Sequence, residues 1–409
     1  MQIVFTVNGP GEIAGWLFPL TRALRDRIPG LGITVCLLPC VYSSGAETQV
    51  VERLGTVDRV LSVRESLALI WRGRGAGAIG ADGPRLVFHL GGEPTLTLLL
   101  AARLRAPAYA YLERPPTLLR FFRKAFFSGL EALPKRLEAQ PGSVVGELMV
   151  DAALLRRAEA PRPADGRRIV GLFTGSRRFM VGPAVPYFAA LVDLMSPRFP
   201  EIDWVMARSD HIGLDFLRKL PDPPENRDWP ASRVRFEERG DGCHFVTEGG
   251  NRIEVLSGRD VLSRAEVALT FPGTSTGELA ASGVPMVVAM PTYEQYRVPL
   301  PGIAGYIDRI PVVGHRLKQM IGQRLLRGLP FLALPNRRAG RMLVPEFVGR
   351  DLHPEIASAL EGFLSSDTSA LREALRAAMG APGAADALAA EIAAHFGRSL
   401  AGPEPARGL

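Results

Sequence analysis

The chain has 409 residues, of which 47% are hydrophobic and 22% charged, and its formal net charge is +7. The length accommodates two domains, and the composition is that of a soluble globular protein. Three cysteines exclude a disulfide framework, and because no ligand partners stand at metal-binding spacing we expect buried thiols. The amino terminus lacks the features of a signal peptide and no apolar run could span a membrane, so we expect a cytoplasmic protein.

Short apolar runs alternate with helical patterns along the chain. We predict strands at Ile3–Val7, Ile33–Leu38, Arg85–Leu90, Ala108–Leu112, Ile169–Phe173, Asp203–Ala207, Val267–Phe271 and Pro285–Ala289. Continuous apolar strands separated by helices indicate parallel sheets covered on both faces, which is an α/β fold. A Gly-Gly-Asn turn within residues 241–258 predicts a hairpin inserted in the second half of the chain.

One stretch is the best candidate for an interdomain linker. Residues 156–168, "RRAEAPRPADGRR", are rich in Pro and charge and show no periodicity. They divide the chain into two α/β halves, an N-terminal domain at 1–155 and a C-terminal domain at 166–365. We expect the Ala-rich helical segment at 366–398 to pack back on the fold and residues 399–409 to be disordered.

Three loops that follow predicted strands carry unusual chemistry, and in open parallel sheets ligands bind at this edge. The first, "VNGPGEIAGW" at 7–16, lacks the spacing of a dinucleotide fingerprint. It places Glu12 in an open loop that extends to about Gly15, although a tight turn with a solvated Glu fits equally well. The second, "GLFTGSRR" at 171–178, combines backbone amides near a helix start with the Arg177 guanidinium. This combination suits a diphosphate, although such turns are common.

The third loop is "FPGTSTGELAASGVPMVVAM" at 271–290. Its small-residue turn, Gly273–Thr276, allows close approach of the backbone to a ligand, and the following helix favours negative charge at its start. Glu278 in that helix could accept hydrogen bonds from the hydroxyls of a sugar, or it could merely complement the helix dipole. Because the second and third loops both follow parallel strands of the second half, together they predict one nucleotide-diphosphate site.

Four segments, taken in order, resemble motifs of the lipid-A-disaccharide synthase family. They are "VGELMVDA" at 145–152, "GLFTGSRRFMV", "VALTFPGTSTGELAASGVPMVVAM" and "LPNRRAGRMLVPEFV". That family has the GT-B architecture, two Rossmann-like domains with the active site in the cleft between them. The resemblance covers roughly 145–350 and implies that the C-terminal domain holds a UDP-sugar donor.

The resemblance also implies roles for particular residues. It places three groups at the donor: Gly175, Ser176 and Arg177 near the diphosphate, Gly273, Thr274 and Ser275 at the phosphates, and Asn336, Gly340 and Glu346 along the donor side. Glu278 matches the Glu that holds the uridine ribose. The small-residue turn and its helix are therefore interpreted as the binding site for the ribose and the diphosphate.

The N-terminal half departs from the family pattern. "LGGEPTLTL" at 90–98 stands where the family has its catalytic carboxylate, and Glu93 is the only acid there. Transfer with inversion needs a base for the attacking hydroxyl, so we predict Glu93 as first candidate and Glu12 as second. His89 within the strand is predicted to be a core residue. Another GT-B enzyme, such as a UDP-sugar epimerase, and a catalytically silent binding scaffold remain alternatives.

Positive charge is concentrated between Arg103 and Arg136, where eight Lys and Arg stand against two Glu. Within it, "PPTLLRFFRKAFFSGL" at 115–130 predicts an amphipathic helix with an aromatic face and a basic face. We predict contact with an anionic membrane surface, with a core helix as the alternative. The predicted contact residues are Phe121, Phe122, Arg123, Lys124, Phe126 and Trp71. We expect no nucleic-acid binding, because the aromatic residues form one apolar face.

The resemblance, together with these patterns, implies an inverting hexosyltransferase at the cytoplasmic face of the plasma membrane. It would move a sugar, such as an acylated glucosamine, from a UDP-sugar to a lipid or lipid-linked acceptor. No cofactor is expected, and no metal because an Asp-x-Asp motif is missing from the sequence. A homodimer is compatible with the sequence.

Overall fold

The computed structural model describes residues 1–401 apart from 41–42, 74, 76–78, 80–82, 114–117, 130–143, 160–166, 221, 224–228, 241 and 294–329. The chain divides into two compact units. The first comprises Met1–Ala152 and Gly380–Leu409, and the second comprises Ala153–Met379. Each unit is built on its own sheet.

The first unit contains a six-stranded parallel sheet. Its strands are β1 (Gln2–Val7), β2 (Gly32–Leu37), β3 (Arg59–Leu61), β4 (Arg85–His89), β5 (Ala108–Leu112) and β6 (Lys124–Phe127). Their order is β3-β2-β1-β4-β5-β6, which is the strand order of a Rossmann-type sheet. Strands β1 and β4 lie side by side at the centre, where the chain reverses its winding direction, and in such sheets this is where ligands bind.

Helices cover both faces of this sheet. They are α1 (Pro10–Glu12), α2 (Phe18–Arg27), α3 (Glu47–Glu52), α4 (Val63–Arg72), α5 (Pro94–Leu104) and, at the end of the chain, α14 (Ala384–Ala401). One apolar core lies between the sheet and α2 and α14, and another lies on the side of α4 and α5. The carboxyl-terminal helix thus belongs to the same unit as the first strand.

The second unit contains an eight-stranded mixed sheet. Its strands are β7 (Arg168–Phe173), β8 (Ile202–Arg208), β9 (Val234–Arg239), β10 (Gly242–Thr247), β11 (Arg252–Ser257), β12 (Val267–Thr270), β13 (Met286–Pro291) and β14 (Glu346–Gly349). Their order is β14-β13-β12-β7-β8-β11-β10-β9. The predicted hairpin is confirmed as β10 and β11, which pair in antiparallel fashion, and β9 extends it to three strands.

The remaining helices are α6 (Leu148–Glu159), α7 (Arg178–Met195), α8 (Leu214–Arg218), α9 (Gly258–Arg264), α10 (Thr274–Ser282), α11 (Leu334–Ala339), α12 (His353–Ser365) and α13 (Ser369–Met379). Helix α7 is long and apolar enough to cross a membrane by length and composition, but 56% of it is buried within the fold. Its apolar side chains pack in the core of the second sheet. All eight predicted strands are present, with ends shifted by at most two residues.

Three local predictions were wrong. The predicted linker begins inside α6, which continues to Glu159, and its middle, 160–166, lies outside the described residues. The predicted loop at 7–16 is helical from Pro10 onward. Pro19 cannot donate a backbone hydrogen bond, and the chain accommodates it with a preceding π-helical turn, Ile13–Leu17, in which Phe18 N–H donates to Ile13 C=O.

The predicted amphipathic helix at 115–130 is the third error. Its described residues form a short 3₁₀ turn, Leu119–Phe121, followed by strand β6 parallel to β5. Phe has a high strand propensity, and pairing with β5 buries Phe126 and Phe127. Packing against the sheet therefore overrode the helical spacing of the apolar residues.

Candidate functional site

The Gly-Ser-Arg turn lies at the carboxyl end of β7. Gly175 has φ +93°, a conformation that side-chain-bearing residues rarely adopt, and Arg177 is the N-cap of the 18-residue helix α7. Thr174 is 1% exposed, and its Oγ1 has no hydrogen-bond partner among the described residues. The turn therefore presents backbone amides at the start of a long helix, which favours an anion.

The small-residue turn lies at the carboxyl end of β12. Ser275 Oγ lies 2.8 Å from Thr270 Oγ1, and Thr276 Oγ1 donates to the Gly273 carbonyl at 2.8 Å. The side chain of Thr276 also accepts from Leu334 N–H at 3.1 Å. These bonds fix the turn from the buried side and leave Gly273 and Thr274 exposed to approach by a ligand.

The sheet brings these two turns together. Strands β7 and β12 are parallel neighbours, and their last paired residues are Phe173 and Thr270. Neighbouring strands lie about 4.8 Å apart, so both turns leave the same edge of the sheet at the same level. The two motifs are about a hundred residues apart in sequence, but the fold makes them neighbours.

Glu278 lies on α10 beyond the first helical turn and forms an ion pair. Its Oε1 lies 2.7 Å from Nη1 of Arg156, and the two side chains are only 19% and 15% exposed. Sequence reasoning missed Arg156, because it fell within the stretch interpreted as a linker. The adjacent Arg157 donates to the carbonyl of Ser282 at 3.0 Å, where a cation complements the end of α10.

Asn336 and Glu346 are engaged within their own loop. Asn336 is fully buried; its Nδ2 donates to Val344 C=O and to Glu346 Oε1, both at 2.8 Å. The Glu346 carboxylate also accepts from the backbone N–H groups of Leu332 and Ala333 at 2.8 Å. These two residues tie the loop around α11 to β14, and their contact with a donor stays a prediction.

Gly340 ends α11. It has φ +64° as the helix C-cap, the left-handed conformation in which glycine is favoured. Its backbone turns the chain toward β14. Gly340 therefore shapes the same loop that Asn336 and Glu346 hold in place.

In the first unit, Glu12 and Glu93 lie at the carboxyl edge of the sheet, after β1 and β4. A Cβ on Gly9 would lie 2.2 Å from Oε2 of Glu12, and one on Gly91 would lie 3.1 Å from its Cγ. The Glu12 side chain therefore occupies space that only these glycines leave open. Glu93 is the exposed N-cap of α5 and makes no side-chain cap bond.

A buried polar atom lies on the same side of Gly91 as the Glu12 side chain. Asn8 Oδ1 is buried without a hydrogen-bond partner among the described residues, and a Cβ on Gly91 would lie 3.0 Å from it. An unpartnered acceptor of this kind is unusual in a folded protein and suits a ligand donor. No motif in the sequence singled out Asn8.

His89 is confirmed as a core residue. It is 4% exposed and its Nδ1 lies 2.8 Å from Thr97 Oγ1, which in turn lies 2.8 Å from Thr6 Oγ1. Burial lowers the pKa of His89 to about 4. The imidazole is therefore neutral at physiological pH and is packed beneath the edge that carries Glu12 and Glu93.

The predicted membrane residues separate into two groups. Phe122 and Phe126 are buried, so their predicted contact with a membrane is wrong. Phe121 and Trp71 are 55% and 60% exposed. Arg123 is exposed, whereas Lys124 pairs with Glu391 at 2.5 Å.

Within the part of the chain that the structure describes, no cluster of three or more His, Cys, Asp or Glu is arranged to hold a metal ion. Metal independence stays a prediction.

The fold class is the GT-B architecture, as two comparisons with solved structures illustrate. The S. aureus MnaA–UDP structure aligns with a TM-score of 0.55 at 12% identity, covering 97% of each chain. The UDP-GlcNAc 2-epimerase from Neisseria meningitidis, bound to UDP-GlcNAc, aligns with a TM-score of 0.52 at 11% identity, covering 96% of this chain and 100% of that one. At these identities the likeness concerns the fold alone.

Within that fold class, the chain is a divergent relative of the lipid-A-disaccharide synthases. The synthase of Granulibacter bethesdensis is 28% identical over 234 residues, 55% of this chain and 48% of that protein. The synthase of Serratia proteamaculans is 23% identical over 384 residues, 85% of each chain. The chain spans about half the length of each of three curated relatives that it matches, among them the synthase of Granulibacter bethesdensis. No protein-family model matches the chain.

Proposed function

We propose that this protein is a glycosyltransferase that moves a sugar from a UDP-sugar to a lipid or lipid-linked acceptor. The observation that carries the proposal is the meeting of two glycine-containing turns at the carboxyl ends of the neighbouring strands β7 and β12. Relationship to proteins named lipid-A-disaccharide synthase supports a glycosyl transfer with a lipid acceptor. Acylated glucosamine is the proposed sugar.

In the proposed donor complex, the diphosphate lies against the backbone amides of the turns at Gly175 and Gly273. The start of α7 and the Arg177 guanidinium offset its negative charge. Glu278 accepts hydrogen bonds from the two ribose hydroxyls through the carboxylate oxygens. Arg156 is the positioning residue for that carboxylate, because it bonds one of the two oxygens at 2.7 Å.

The proposed chemistry is a single displacement with inversion at the anomeric carbon. Glu93 takes the proton from the attacking acceptor hydroxyl, and the C1–O bond to UDP breaks as the new bond forms. Exposure at the N-cap of α5 makes its carboxylate accessible to an acceptor. Glu12 is the second candidate base. The proposed reaction needs neither cofactor nor metal.

The proposed site of action is the inner face of the plasma membrane, with the protein peripheral to an anionic surface. Exposed Phe121 and Trp71, each beside an arginine in sequence, support this placement. Nucleic acid is not a proposed partner.

Calorimetric titration with UDP and then UDP-GlcNAc tests the donor site. We expect wild type to bind UDP, and Glu278→Gln and Arg156→Gln to bind at least tenfold more weakly, since each loses a bond to a charged group. Glu266→Gln is the matched control, because Glu266 also pairs with an arginine, Arg168 at 2.6 Å, but at the opposite end of β7. A wild-type protein without affinity for any uridine nucleotide would refute the donor site.

Turnover with membrane-lipid acceptors tests the chemistry. We expect transfer by wild type and a loss of at least a hundredfold in kcat for Glu93→Gln with UDP affinity unchanged. Activity kept in Glu93→Gln and lost in Glu12→Gln would assign the base to Glu12. Interconversion of the UDP-sugar without any acceptor would replace the transferase proposal with an epimerase.

A further inference from the structure

A basic pocket lies in the first unit, away from the edge that carries Glu12 and Glu93. It has a volume of about 420 Å³ and is lined by Tyr109, Arg123, Lys124, His395, Arg398 and Ser399. Tyr109 and Lys124 stand at the amino ends of β5 and β6. Five-residue strands are about 16 Å long, so the pocket is about that far from the carboxyl edge of the sheet.

The charge in this pocket is incompletely balanced. Lys124 pairs with Glu391, but the guanidinium groups of Arg123 and Arg398 make no hydrogen bond or ion pair with any described residue. His395, 6% exposed, lines the same pocket, and its pKa is lowered by burial and further by the charges of Arg123, Arg398 and Lys124. Three cationic side chains, of which only Lys124 is paired among the described residues, and the neutral imidazole of His395 thus converge on one cavity, which suits a phosphate group.

An apolar groove adjoins the basic pocket. It has a volume of about 590 Å³ and its apolar lining includes Leu98, Leu99, Ala102, Pro107, Leu118 and Phe121. Arg123 lines both cavities, so the groove and the pocket meet at this residue. No acidic side chain is among the described residues that line either cavity.

The groove follows α5 along its length. Its lining includes Thr95 at one end and Ala108 at the other, about 16 Å of helix plus the turn that follows. Thr95 is two residues from Glu93. An apolar chain in the groove would therefore run from the basic pocket toward the edge that carries the proposed base.

We propose that these two cavities form a binding site for an anionic membrane phospholipid, with its phosphate in the basic pocket and an acyl chain in the apolar groove along α5. Charge complementarity selects this occupant, because an apolar groove that ends in uncompensated cations matches an amphiphile with an anionic head. The site rests on the proposed function only for its membrane setting. It places the α5 flank against the bilayer, where a lipid acceptor could reach Glu93 by lateral diffusion.

Flotation with vesicles, in the absence of any sugar donor, tests the site. We expect the protein to bind vesicles of phosphatidylcholine with 30% phosphatidylglycerol and to prefer them at least tenfold over phosphatidylcholine alone. The double variant Arg123→Gln/Arg398→Gln should lose that preference, a roughly 30-fold loss of affinity for two charges near an anionic surface. The matched control, Arg27→Gln/Arg53→Gln, removes two exposed charges elsewhere in the first unit and should change the affinity less than threefold.

The apolar half of the site has its own variant. Phe121→Ser should weaken binding to both kinds of vesicle several-fold while keeping the preference for the anionic one, because it removes apolar contact without changing charge. Equal losses in the two double variants would overturn the proposal in favour of diffuse electrostatic attraction. Binding of inorganic phosphate or glycerol 3-phosphate in the pocket with no vesicle binding would overturn the lipid as occupant.

The vesicle measurement is independent of the donor site. A protein that binds anionic vesicles as expected but no uridine nucleotide would retain this lipid site and lose the proposed glycosyl transfer. The opposite result, UDP binding without vesicle binding, would retain the donor site and refute the lipid site.

Discussion

Replacing Asn336 by Ala should destabilise the second unit severely. The side chain is fully buried and makes four hydrogen bonds: Nδ2 donates to Val344 C=O and Glu346 Oε1, and Oδ1 accepts from Leu343 N–H at 2.7 Å and Val344 N–H at 3.0 Å. Alanine leaves three backbone groups, the N–H of Leu343 and the N–H and C=O of Val344, without these partners, whereas the Glu346 carboxylate keeps its two backbone donors. Each unsatisfied group costs about 1–3 kcal/mol, so we expect a loss of about 3–9 kcal/mol.

That loss is a large fraction of the roughly 5–15 kcal/mol by which folded domains are stable. Urea unfolding followed by tryptophan fluorescence measures it as a shift of the midpoint, with Trp204 and Trp229 as buried reporters in the second unit. UDP affinity is measured on the same samples below the transition. Loss of UDP binding with a change in stability below about 1 kcal/mol would refute the reasoning and assign Asn336 to the ligand.

Asn336→Asp is a second variant that tests the same hydrogen bonds. It keeps the acceptor for the two N–H groups but puts a carboxylate oxygen against Glu346, where the native Nδ2 lies 2.8 Å from Oε1. Two such carboxylates raise each other's pKa, so the folded state binds a proton that the unfolded state has released. Its stability should therefore rise as the pH falls from 7 toward 5, in contrast to Asn336→Ala.

Three further changes test the first unit. Gly92→Ala should lower the free energy of unfolding by about 1–3 kcal/mol, because φ is +93° and the new Cβ would lie 2.7 Å from Leu38 Cδ1. Gly45→Ala, at φ +84° but with open space around the new Cβ, should lower it by about 1 kcal/mol. Urea unfolding measures both changes. His89, with a folded pKa of about 4 against an ordinary 6.5, contributes stability that is complete above pH 6.5 and decreases as the pH falls toward 4, by up to about 3 kcal/mol. His89→Gln should flatten this dependence in unfolding curves measured across that range, and an unchanged slope would contradict it. Phe126→Ala should lose about 3–5 kcal/mol and Phe121→Ala less than about 1 kcal/mol, since only the former is buried; equal losses would contradict the strand assignment.

The sequence by itself determined the fold class and the position of every predicted strand. Apolar runs such as those of β1 and β12 are buried on both faces, so their hydrophobic content alone identifies them. The turns at Gly175 and Gly273 could also be predicted from the sequence, because a glycine marks a position where the backbone needs a conformation or a close approach that other residues do not allow. Local chemistry therefore carried both the strand pattern and the candidate donor motifs.

The tertiary structure decided which of these local patterns work together and which were misinterpreted. The residues at 118–127 have the spacing of a helix, but a free edge beside β5 offered pairing and burial for Phe126, and nothing local reveals that edge. The partner of Glu278, Arg156, lies more than a hundred residues away in sequence. The carboxyl-terminal helix α14 packs on α2 at the other end of the chain. Contacts between residues distant in sequence depend on topology, and topology is fixed by burial summed over the whole chain rather than by any single segment.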